Sequence, residues 1–159
     1  ESEHIIRGAT PSLWGYMEQT LSIDGKKYNL LYKGKTASIY RDCFNRDLLV
    51  DIQEVQIKFG EAIEKNVREG NPDRDPYFTL LQANGSLFFE RLVWVCIKTY
   101  DTYHGKETKA FQDFVDEIED YQTYVMSGVV ILEQIINANK ATVQNESDEV
   151  ITDDKKKEV

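Results

Sequence analysis

The sequence predicts an α+β fold, mostly α, in which an N-terminal β-hairpin packs on a bundle of about four to five helices. A disordered acidic C-terminal tail is expected to follow the bundle. Three observations lead to this reading. Leu21–Leu30 carries the turn pair Asp24-Gly25 between two alternating apolar runs. Ser86–Tyr103 (SLFFERLVWVCIKTYDTY) is the most apolar helix-length stretch and leaves little of a helical circumference polar. Beyond Ala141 the apolar period stops and acidic residues dominate.

The chain divides at residues 20 and 142. Residues 1–20 read as a leader, partly disordered or holding a short helix that Thr10-Pro11-Ser12 would open and that would carry Leu13, Trp14, Tyr16 and Met17. The chain begins at Glu1 rather than Met, which points to a start that is processed, truncated or inherited from cloning. The hairpin opens a globular domain spanning 21–142, with Leu21, Ile23, Tyr28, Leu30 and Tyr32 on its inward face. Two strands alone are barely stable in water, so the hairpin must lie on helices.

A helix beginning at Lys35 or Thr36 carries Ile39, Tyr40, Cys43 and Phe44. A second one spaces Leu48, Ile52, Val55, Phe59, Ala62 and Ile63 by threes and fours. Gly70-Asn71-Pro72-Asp73-Arg74-Asp75-Pro76 breaks the pattern, with Asp75 as N-cap and Pro76 at the first helical position. The central apolar helix follows, with Asn84-Gly85 placed to kink or interrupt it and His104-Gly105-Lys106 ending it. A short helix with Phe111, Phe114, Val115 and Ile118 precedes the last one. That helix sets Tyr121, Tyr124, Val125, Val129, Leu132, Ile135 and Ile136 on one face. Residues 143–159 form the flexible acidic tail.

Composition narrows the function. Hydrophobic residues at 41% supply a core for one domain, and a formal charge of −9 disfavours both nucleic acid and anionic membranes as partners. No run reaches the roughly 18 apolar residues of a membrane span, and two cysteines, Cys43 and Cys96, each on an apolar helical face, read as buried free thiols of an intracellular protein. His4 and His104 stand apart without metal-ligand spacing, and no phosphate-loop, dinucleotide or zinc-protease motif occurs. The carboxylates Asp113, Asp116, Glu117, Glu119 and Asp120 lack the loop and glycine of a calcium site and read as a solvated helix face. No catalytic, cofactor-binding or metal-ligating residues are expected, and an enzyme is disfavoured. Trp94 falls inside the polar stripe of the central helix formed by Glu90, Arg91, Lys98 and Asp101, so either the leader or hairpin covers it or a partner does.

The order of motifs resembles the tail assembly chaperones of long, non-contractile-tailed phages and prophages (siphoviruses) of Gram-positive bacteria. The shared pattern is an Ile-Asp-Gly-Lys-Lys-Tyr hairpin (Ile23–Tyr28) and a helix with Tyr40-Arg41-Asp42 that closes with Phe44-Asn45-Arg46-Asp47-Leu48-Leu49. After these come a proline-bearing linker, an apolar helix ending Ile97-Lys98-Thr99-Tyr100-Asp101, and Phe111-Gln112-Asp113-Phe114-Val115-Asp116 before the final amphipathic helix. It spans roughly Leu21–Ala141, and the leader and Gln53–Arg68 fit it less well.

The resemblance implies a protein that binds and solubilises the tape measure protein, an extended helical chain with apolar patches, and helps recruit the major tail protein. It implies self-association, work in the host cytoplasm and absence from the mature virion. It also implies a minority longer form made by a −1 frameshift, for which Lys155, Lys156 and Lys157 mark the candidate position. Apolar helical grooves would take the client's i, i+3, i+4, i+7 anchors. Trp94 with Phe88, and Met126 with Val130 on the last helix, are the candidate protein-binding residues, although each also reads as core. Rival readings are a head–tail completion or other phage structural protein, and an acidic regulatory or inhibitor protein that binds a basic partner.

Overall fold

A computed structural model describes residues 16–138. The strands are β1 (Met17–Ile23) and β2 (Lys26–Tyr32). The helices are α1 (Gly34–Phe44), α2 (Leu48–Arg68), α3 (Pro76–Asn84), α4 (Leu87–Tyr103), α5 (Phe111–Asp116) and α6 (121–138). The architecture is the expected α+β one, mostly α, with an N-terminal antiparallel hairpin on helices. The helix number reaches six among the described residues because Gly85, at φ +79, separates α3 from α4 outright. Leu13, Trp14 and the acidic segment from 143 onward lie outside the described residues.

The hairpin forms where Asp24-Gly25 places it. Both residues have positive φ (55 and 74), as a two-residue turn matched to strand twist requires, and Ile23 pairs with Lys26 across it. The strands run longer than the apolar alternation announced. Met17, expected in a leader helix, begins β1 and is buried with Leu21 and Ile23 on its inner face. On β2, Leu30, Leu31 and Tyr32 are all buried, because that end of the strand is covered on both sides, and β2 lies along α4. Asp24 also reaches out of the turn, its carboxylate accepting the backbone N–H groups of Glu119 and Asp120 at 2.9 Å just before α6 begins.

The helix boundaries follow local chemistry. Asp47 caps α2 by accepting from Leu49 N–H, and Asp75 caps α3 by accepting from Tyr77 N–H with Pro76 behind it. Asn45, at φ 54, ends α1 in the left-handed conformation. The α2–α3 turn is held by Asn66, which donates to Arg74 O at 3.1 Å and accepts from the Thr79 hydroxyl at 2.7 Å.

Four expected placements change. Ile63 is exposed, since the buried positions of α2 are 48, 51, 52, 55, 62 and 66 and it falls outside that face. Tyr121 is exposed at the first residue of α6, and Ile118 lies in the loop after α5. Cys43 is exposed rather than buried, whereas Cys96 is buried in α4, where burial pushes its thiol up; both are free.

The core is organised on α4, whose Phe89, Leu92, Val93, Val95, Cys96 and Ile97 are buried. Thr99 ties it to α1 through the Thr36 hydroxyl at 3.1 Å, and Tyr124 of α6 donates to Glu90 O at 2.6 Å. Gly128 sets the α4–α6 distance: a Cβ built there would stand 2.7 Å from Phe89 O and 2.8 Å from Phe89 Cβ. The two helices touch backbone to backbone at this point.

Gly128→Ala is therefore expected to lower stability by about 1–3 kcal/mol through overpacking. It should do so even though alanine is the better helix former by about 1 kcal/mol. A urea midpoint that holds or rises in the variant would contradict the close approach.

Candidate functional site

Trp94, the first sequence candidate, is 3% exposed. Among the described residues, the end of α1 and the chain leading into α5 cover it, and the leader lies outside them. Its ring lies edge-on to Phe44 at the end of α1 (5.5 Å) and to Phe111 of α5 (5.9 Å), while its indole N–H donates to Lys109 O at 2.9 Å. The chain between α4 and α5 folds back over the polar stripe, and Lys98 sits above the indole at 5.6 Å. Trp94 is thus a structural anchor of the α1–α4–α5 junction rather than an open contact.

Phe88 is half-buried at a groove of about 290 Å³ between the α1–α2 corner and the α3–α4 junction, alongside Tyr40, Asp51, Leu87 and Arg91. The polar end of this groove is closed. Tyr40 donates to Asp51 Oδ2 at 2.6 Å, Arg46 donates twice to Oδ1 at 2.9 and 2.6 Å, and the Arg91 guanidinium lies 4.7 Å from the Phe44 ring. Burial resists ionisation of Asp51, but the hydrogen bonds from Arg46 and Tyr40 outweigh it and hold the carboxyl below its ordinary value. The phenol of Tyr40 is raised in turn by burial and by Asp51. This network staples α1 to α2.

Met126 and Val130 are the sequence candidates that the structure leaves at the surface, 36% and 37% exposed on α6. With Glu133 and Asn137 they follow an i, i+4, i+7, i+11 spacing and share one face of the helix. That face runs into a groove of about 400 Å³ between α2, α3 and α6, walled by Val55, Phe59, Tyr77, Leu132 and Ile136. Phe59 and Tyr77 pack with ring centroids 4.6 Å apart. Burial, together with the charge of Glu133, pushes the Tyr77 phenol up to about 12, so it remains a neutral donor at physiological pH. The groove sets apolar side chains on both walls beside the amides of Gln56 and Asn137 and the carboxylate of Glu133. It can hold the apolar stripe of an amphipathic helix and place a cation of that helix beside Glu133.

Sequence reasoning took Phe59 into the core by its 3–4 spacing and did not single out Tyr77, and both are half-buried side chains at the groove. Only the offset of α3 from α2 leaves their rings at a groove. Lys155, Lys156 and Lys157 lie outside the described residues. Among the described residues no group of three or more His, Cys, Asp or Glu side chains could hold a metal ion, and no helix is long and apolar enough to cross a membrane. No family model, curated protein or solved structure matches the chain.

The depressed Asp51 carboxyl gives acid sensitivity a defined sign. A group held low in the fold stabilises it above its unfolded value of about 4, and that contribution is lost as pH falls through the lower folded value. The stability advantage of the native chain over Asp51→Asn should therefore shrink as pH drops below about 4. A denaturation series showing a pH-independent difference would remove Asp51 as the cause.

Proposed function

We propose that this chain is a tail assembly chaperone of a long, non-contractile-tailed phage or prophage, acting as a binding protein rather than an enzyme. Its client is the tape measure protein. The observation that carries the reading is the apolar surface running from Met126 and Val130 into the groove of Phe59, Tyr77, Leu132 and Ile136. An extended helical client with apolar patches presents the matching shape, and this groove would cover those patches before tail subunits do. The motif order from Ile23 to Asp116 supports the same reading. In this role the protein works in the host cytoplasm, self-associates along its client and is displaced before the virion is complete.

A longer, frameshifted form that recruits the major tail protein belongs to the proposal. It requires the codons of Lys155–Lys157 to form a slippery heptamer with an open −1 frame beyond them. The gene sequence decides this, and lysine codons without such a heptamer would sink it.

The binding test is co-expression with the tape measure protein encoded beside this gene. The expected result is a client that is insoluble alone and co-purifies in soluble form with the native chain. Met126→Glu with Val130→Glu should weaken capture by on the order of tenfold or more while leaving the helical circular dichroism signal in place. Trp94→Ala should instead lower stability, by about 3–5 kcal/mol. A client that stays insoluble, or capture indifferent to both glutamates, would refute the groove as its site. Mass spectrometry of purified virions separates a chaperone from a structural component, which would remain in the particle.

A further inference from the structure

Helix α2 has a groove on each flank. Val55 lines both, with Gln56 and Phe59 on the side facing α6, and Asp51, Glu54 and Lys58 on the side facing the start of α4. The two differ in charge. Glu133 is the one charged residue lining the first. In the second, Arg46, Lys58 and Arg91 outnumber Asp51 and Glu54, which makes it a cationic spot on a chain of net charge −9. Arg46 is spent on Asp51, but the other two cations are not. Among the described residues neither Lys58 nor Arg91 enters an ion pair, Lys58 is exposed, and Nε of Arg91 has no hydrogen-bond partner. Leu87, 49% exposed, and half-buried Phe88 give the same groove an apolar wall.

We infer that residues 148–154 of the same chain dock in this second groove as an intramolecular strap. The segment reads Asp148-Glu149-Val150-Ile151-Thr152-Asp153-Asp154 and lies outside the described residues. Its composition mirrors the groove: four carboxylates for Lys58 and Arg91, and between them an aliphatic pair for the wall of Leu87 and Phe88. Lys155–Lys157 follow at once and set the register, because like charge keeps them out of the groove. The groove beside α6 is the wrong host, since Glu133 would repel the same carboxylates. The other stretch outside the description, residues 1–15, carries only Glu1 and Glu3 as carboxylates, with Arg7 after them.

The reach is sufficient. Asn137, next to last in α6, lines the first groove, and the second lies across α2, a helix about 10–12 Å in diameter. Asp148 follows Ala138 by ten residues, which span up to about 33 Å. Exposed ion pairs contribute little each, so the strap is weak, but a short tether holds it at an effective concentration in the millimolar range. It is therefore formed in the free chain and open to displacement by salt or by an acidic competitor. While formed, it covers Leu87 and Phe88. The inference stands on this groove alone and holds whatever occupies the one beside α6.

The test uses the full chain in a Cys43→Ser background, which removes its exposed thiol and leaves the buried Cys96. A nitroxide spin label is attached to Ser147→Cys, just outside the docking segment, and amide resonances are followed by NMR. Line broadening is expected to be strongest at Lys58, Leu87 and Phe88. It should disappear in roughly 1 M NaCl, where the screening length falls to about 3 Å. It should also disappear when the four carboxylates become amides (Asp148→Asn, Glu149→Gln, Asp153→Asn, Asp154→Asn) and in Lys58→Glu. Lys58 is exposed, so that variant is expected to keep its helical circular dichroism signal. Broadening centred elsewhere, or broadening at these amides that survives both the amide and the Lys58→Glu changes, would overturn the proposal. A spin-labelled chain mixed with an unlabelled, isotope-enriched one separates the two sources of contact. Broadening that passes between molecules as strongly as within one would refute an intramolecular strap.

Discussion

The contact on which the rest of the molecule depends is the backbone approach of α6 to α4 at Gly128 and Phe89. Helix–helix distance is normally set by side chains, and here one helix offers none. With Gly128 against the Phe89 carbonyl, the Tyr124 hydroxyl one turn earlier reaches Glu90 O, and Val125, Val129 and Leu132 close over the α4 surface. The opposite side of α4 is left for β2. The hairpin is then held at both ends, by β2 along α4 and by the Asp24 carboxylate on the residues that lead into α6. A two-stranded sheet unstable by itself becomes one layer of the domain.

Around that fixed α4–α6 pair, α2 and α3 are attached more loosely. The Asn66 hydrogen bonds hold α3 against α2, and the Tyr40–Asp51–Arg46 network holds α2 to α1. Neither attachment draws α2 fully onto α6, so the space between them remains as the groove walled by Phe59, Tyr77 and Ile136. The same geometry leaves Leu49, Ile57, Ile63 and Val67 of α2 exposed. Recognition surface in this protein thus arises where a peripheral helix pair meets a tight central one. The apolar residues there are the ones the core had no room to cover.

The strongest local signals in the sequence were the ones that needed no tertiary information. Asp24-Gly25 specified its turn because few residue pairs tolerate two consecutive positive φ angles, and Asp75-Pro76 specified a helix start because one caps and the other cannot donate. Periodicity identified the buried face of α6 and, apart from Ile63, the inward positions of α2. It failed at element ends, where Tyr121 kept the apolar spacing but stays exposed and Ile118 packs on the core from a loop rather than from a helix. It also failed at Cys43, whose helical face is apolar in sequence and open in space.

The candidate site was legible in part, for a physical reason. A helical repeat tells which residues share a face but not which neighbour that face meets. Met126 and Val130 were named as a secondary face of α6, but the spacing left each readable as core, and the packing of α6 decides that they are at the surface. Trp94 was not separable. Its place in a charged stripe looked like exposure until the chain between α4 and α5 folded back to accept its N–H at Lys109 O and to bring Phe111 against it. The sequence alone determined the hairpin, the helix caps and the segments with apolar faces, all consequences of chemistry within a few residues. Only the tertiary structure decided which apolar faces stay uncovered, because that depends on distances between helices. One glycine at 128 sets the critical distance among them.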